Sequence, residues 1–66
     1  MTDDSYIHHM IPHHQVAVDM SKKILTTTSN DFIIYLAYRI IRAQQAEIYQ
    51  LSNLSESVYK YNSVIL

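Results

Sequence analysis

All four histidines of this chain fall within seven residues, in the run His8-His9-Met10-Ile11-Pro12-His13-His14. Histidine is the commonest metal-ligating side chain. Four of them beside a thioether, in a chain without cysteine, form a local enrichment that packing alone does not require. Imidazole suits copper, zinc, nickel and iron, while thioether sulfur selects for Cu(I). The expected cofactor is therefore a copper ion, with zinc as the alternative. Because these donors bind in their deprotonated forms, such a site should release its ion in acid.

Helical spacing sorts the four imidazoles. His9 and His13 stand four residues apart, which places both on one face of a helix. His14 lies about 100° around the axis from His13, at the flank of that face. His8 points elsewhere, with Gln15 and Asp19, and is expected in solvent. Met10 sits beside the His9/His13 pair as a further soft donor. At helical spacing, methionines such as Met10 and Met20 more often fill a core than bind an ion.

The elements that must position these residues are helices. The chain has 66 residues, no glycine and one proline, Pro12, so it offers few cheap turns with positive φ. The segment Thr26-Thr27-Thr28-Ser29-Asn30-Asp31 reads as a polar connection that ends in helix N-caps. Before it, Tyr6, Met10, His13, Ala17, Met20 and Ile24 recur in steps of three and four, which predicts a helix over about 4–25 with that stripe facing the core. Asp3 and Asp4 suit its first turn, and Lys22 and Lys23 its last. Pro12 should kink it, or make it restart near His13. After the connection, Ile33, Ala37, Ile40, Ile41, Gln44, Glu47, Ile48 and Leu51 predict a second helix over about 31–54. Arg39, Arg42, Gln45, Gln50 and the tyrosines Tyr35, Tyr38 and Tyr49 fall on its opposite face. The domain then spans 1–54, and 55–66 is read as a C-terminal tail or short extra element.

A short connection makes the two helices antiparallel neighbours. Counting back from the loop sets His13 opposite Gln44, Met10 opposite Glu47, and Tyr6 opposite Leu51. The polar residues of both stripes then share layers at the end far from the loop. Glu47 would ligate an ion directly, or accept the second N–H of a ligating histidine. A carboxylate on an apolar stripe must be paired, metal-bound or protonated. The plainer reading is a salt link or hydrogen bond to His13 or Tyr6. Gln44 is a poor ligand and suits a hydrogen-bonding role.

Two helices cannot enclose a core, and a chain this small buries too little surface to be secure alone. With disulfides excluded, a metal or a partner chain must contribute. The expected fold is all-α: an antiparallel hairpin that pairs into a four-helix bundle as a homodimer or higher homo-oligomer. A net charge of −1 gives no footprint for nucleic acid. No apolar run approaches the roughly 20 residues of a membrane span. Met1-Thr2-Asp3-Asp4 does not read as a signal peptide, so the chain as it stands reads as intracellular and soluble. A protein trimmed of its export signal, periplasmic or extracellular, would read the same.

Met10-Ile11-Pro12-His13-His14 with Ala17 and Met20, followed by Leu36-Ala37, Ile40-Ile41, Ala43-Gln44 and Glu47-Ile48, resembles the "domain of unknown function 305" family. The match covers roughly Tyr6 to Leu54. The resemblance implies a ferritin-like helical bundle, often exported by bacteria and sometimes encoded beside copper-resistance functions. It also implies copper binding through histidine and methionine, with Met10, His13, His14 and Met20 in the His/Met-rich segment. Gln44 and Glu47 match the polar positions of the second helix. Relatives commonly carry methionine where Leu51 stands and Trp-Leu near Asn53-Leu54, so one soft ligand is absent here.

Enzymatic readings find no support in the residues. A di-iron bundle wants several glutamates and Glu-x-x-His motifs, and the zinc-protease string His-Glu-x-x-His is missing. No cysteine nucleophile and no glycine-built phosphate cradle exist. The residues point to a non-catalytic metal-binding module for copper buffering or chaperoning. Its ligands would be His9, His13, His14, Met10 and Glu47, supported by Gln44, Tyr6 and Met20. The alternative is a structural oligomerisation module whose His/Gln/Glu layer holds no metal.

Overall fold

The computed structural model describes the backbone from Met1 to Ile65 and the side chains from Met1 to Leu54. Two helices, α1 (Asp3–Leu25) and α2 (Asp31–Ile65), pack antiparallel as a hairpin measuring 55 × 18 × 14 Å. α1 starts at a reciprocal cap. The Thr2 hydroxyl accepts the Ser5 N–H at 3.1 Å, and the Ser5 hydroxyl accepts the Thr2 N–H at 3.0 Å, so two otherwise orphaned donors are satisfied together. Asp3 and Asp4 in the first turn and Lys22 and Lys23 in the last complement the helix dipole.

The turn is built from hydroxyls and ordinary backbone. Thr26 closes α1, its N–H bonding the Lys23 carbonyl at 3.1 Å and its hydroxyl donating to the same carbonyl at 2.7 Å, while the Ile24 carbonyl accepts the N–H groups of Thr27 and Thr28. Asn30 then opens α2, its side-chain oxygen accepting the N–H groups of Phe32 at 2.9 Å and Ile33 at 3.1 Å. No described residue has a positive φ.

Three expectations about the helices need correction. Of the two effects expected of Pro12, a kink or a restart, the restart does not occur: α1 runs unbroken past His13. Pro12 is exposed, so the His8 carbonyl that loses its helical donor is on the wet side of the helix. α2 does not end near Leu54 but continues to Ile65. The reason is visible in the sequence: Leu51, Leu54, Val58, Tyr61 and Ile65 keep the three-and-four rhythm across Ser55-Glu56-Ser57. Nothing in that stretch breaks a helix.

The third correction is the face of α1 that packs. Ile7, His14, Val18 and Ser21 are buried against α2, with Ile11 and Leu25 half-buried beside them. The stripe expected in the core (Tyr6, Met10, His13, Ala17, Met20, Ile24) lies to one side of this seam. α1 carries an apolar sector wider than one contact, and its branched hydrocarbons Ile7, Ile11 and Val18 take the seam in preference to the thioethers and Tyr6. On α2 the seam falls where expected, with Ala37 buried and Ile33, Ile40, Gln44, Ile48 and Leu51 half-buried.

Candidate metal site

His14 and Glu47 meet across the hairpin: His14 Nε2 contacts Glu47 Oε2. His14 is 9% exposed and belongs to the seam, whereas half of the Glu47 side chain reaches solvent. The other ring nitrogen, Nδ1, donates to the Met10 carbonyl at 2.9 Å. A carbonyl only accepts, so Nδ1 holds a proton and Nε2 faces the carboxylate. With Nδ1 donating to a carbonyl, the ring is in the orientation a ligand needs, since a metal-bound histidine typically donates its second N–H to a carbonyl or carboxylate.

The two residues line a groove of about 440 Å³ at the end of the hairpin away from the loop, with Tyr6, Met10, Gln50, Leu51 and Leu54. Met10 therefore contributes twice, its carbonyl orienting His14 and its side chain lining the groove. Nitrogen, carboxylate and thioether donors fit a borderline or soft cation. As a set for one ion they are incomplete. Among the described residues no group of three or more histidine and acidic side chains gathers closely enough to enclose a metal.

The remaining expected site residues are dispersed. His9 and His13 are exposed, not turned to the core. His9 Nδ1 donates to the Ser5 carbonyl at 2.6 Å, and His8, exposed as expected, does the same to Asp4 at 2.8 Å. Both rings consequently present Nε2 outward. Glu47 is met by His14, one turn further along α1 than Met10, which the index rule had placed opposite; it does not pair with His13 or Tyr6. Gln44 is half-buried in the seam and lines neither groove. Tyr6 is 49% exposed on the groove wall. Met20 lies in a second groove of about 680 Å³ near the loop, away from His14. Gln50, read from the sequence as outward-facing, is part of the first groove. The signal that would have found it is the step of three from Glu47.

Fold and site together define a helical hairpin with a His14–Glu47 contact in a Met10-lined groove on its flank. The chain belongs to the family described as "domain of unknown function (DUF305)", whose model matches residues 2–64. It is also 39% identical over 62 residues to the uncharacterized protein L153 of Acanthamoeba polyphaga mimivirus. That match takes in 94% of this chain and 41% of the viral protein, so the chain spans less than half of its relative. No solved structure matches. Among the described residues no helix is long and apolar enough to cross a membrane.

Proposed function

We propose that this hairpin is a non-catalytic metal-binding module that buffers or delivers copper, with zinc as the second candidate ion. The observation that carries the reading is the convergence of His14 Nε2 and Glu47 at a groove lined by Met10, with Nδ1 tied to the Met10 carbonyl. His14 would be the nitrogen donor, Glu47 the carboxylate and Met10 the soft donor that favours Cu(I) over Zn(II). A bound ion would supply Lewis acidity and, for copper, redox capacity. The residues themselves orient the ring, hold its proton on Nδ1 and keep one side of the site dry. His9 and His13, exposed on α1, are available to capture an ion or complete its ligand set. The module works as a homo-oligomer, because two helices leave their apolar flanks uncovered.

The same contact favours a second reading. His14 and Glu47 satisfy each other directly, as they would in a structural polar layer that fixes register without any metal. Calorimetric titration of Cu(I), Cu(II) and Zn(II) into chelator-treated protein separates the two. The metal reading expects binding that His14→Gln weakens strongly. It fails if no ion binds tighter than about 10 μM, or if His14→Gln leaves affinity unchanged.

A further inference from the structure

The two grooves of the hairpin open on the same side. Tyr6 and Met10 wall one, and Met20 and Ile24 wall the other; helical steps of three and four connect these positions through His13 and Ala17. The matching stripe of α2 runs from Leu36 to Leu54. Between them lies a largely apolar face along the hairpin, with Glu47 on it, Lys23 at its loop-end rim and Arg39, three turns before Gln50, at its α2 edge. Met20 is 66% exposed on it and Leu54 52%. A charge-poor strip of this kind has the composition of an interface core.

We propose that a second copy of this chain covers this face with two-fold symmetry, and that the His13 of each copy enters the metal site of the other. Three observations select a second copy as the occupant. The first is the size of the core: only Ile7, Val18 and Ala37 are apolar and buried among the described side chains, which is little to hold two helices together. The second is the length of α2. Its three-and-four repeat runs from Ile33 to Ile65, but α1, with His14 set against Glu47, begins only at about the level of Val58. α2 is thus longer than the helix this chain lays beside it, and another copy offers it a further one.

The third observation is position. His14 is the midpoint of α1 (Asp3–Leu25). A two-fold that overlaps α1 along its full length brings this layer onto its own counterpart. With the axis along the helices, the second copy's α1 crosses above Glu47; with the axis across them, it lies above His14. In both cases His13, exposed and one residue from the midpoint, arrives at the site that lacks a donor. An isologous interface requires such self-matching. The role given to His13 rests on the metal-binding reading above, whereas the covered face does not.

Sedimentation equilibrium of the full chelator-treated chain, alone and with Zn(II) or Cu(II), tests both parts. The expected result is a dimer without metal, tightened about tenfold or more by metal through linkage. Met20→Glu or Leu36→Glu, each checked for helix content by circular dichroism, should give monomers. His13→Ala should dimerise without metal and lose the metal-dependent tightening. A folded monomer up to about 100 μM that neither ion converts overturns the proposal, as does a dimer indifferent to both glutamate variants. A full metal response in His13→Ala overturns the shared site alone. A metal-free dimer that neither ion tightens, in a protein that calorimetry shows binds neither, removes the metal reading and leaves the face standing.

Discussion

Two valines two residues apart on α1 give the sharpest test of how this helix is rotated. Val18 is 0% exposed in the seam, while Val16 is 56% exposed. Val18→Ala removes two methyl groups from a site with no access to water. At about 0.8 kcal/mol for each buried carbon, the transfer loss is about 1.6 kcal/mol. The cavity left between two stiff helices raises it to about 2 kcal/mol. For a domain of this size, each kcal/mol moves the melting temperature by about 4–8 °C, so Val18→Ala should melt about 8–16 °C lower. Val16→Ala exchanges the same groups on an open surface and should stay within about 0.5 kcal/mol of the parent. Its small shift should be upward, because alanine is the better helix former. Thermal denaturation at 222 nm, with both variants at one protein concentration, reads the difference. Equal shifts, or a larger loss at Val16, would refute the seam as described.

Other outcomes follow from the same geometry. Pro12→Ala restores the N–H donor to the His8 carbonyl on an exposed face, and should stabilise the protein by up to about 3 kcal/mol; a lower melting temperature would show that the proline is needed. Asn30→Ala leaves the Phe32 and Ile33 N–H groups without their acceptor and should cost about 1 kcal/mol, measured by the same melt. If Met10 is the soft donor proposed above, Met10→Leu, which keeps the groove filled but removes the thioether, should lower Cu(I) affinity about tenfold while Zn(II) affinity holds. On the proposed metal-binding reading, lowering the pH should release either ion, since protons compete for the imidazole and carboxylate donors; competition titrations across pH measure this.

The helices, their polarity and the connection between them were legible because each has a local cause. Asp3 and Asp4 at one end, Lys22 and Lys23 at the other, and Asn30 before an apolar repeat act through neighbours in sequence. The rotation of α1 was not legible in the same way. Its stripes at Tyr6-Met10-His13 and at Ile7-Ile11-His14 differ by one residue, and both are apolar enough to bury. Which one faces α2 is settled by packing between helices, and periodicity within one helix carries no information about it. That single residue of phase exchanged His13 for His14 as the buried imidazole. Glu47 was found because a carboxylate on an apolar stripe demands a partner, and it has one. The end of α2 was not legible because Ser55-Glu56-Ser57 is a polar interruption, although the apolar repeat passes straight through it.

The turn between the helices has a consequence for what the chain tolerates. With every described residue in ordinary backbone conformation, the reversal of direction depends on capping bonds and on the seam, not on a residue confined to left-handed torsions. Thr27 and Ser29 can therefore be exchanged for most side chains without meeting a steric barrier, provided Asn30 still opens α2. Exposed polar loops of this kind are where insertions succeed most often. The loop end is thus the natural place to splice in a tag, a fluorophore or a covalent link to a second hairpin, leaving the His14–Glu47 end undisturbed.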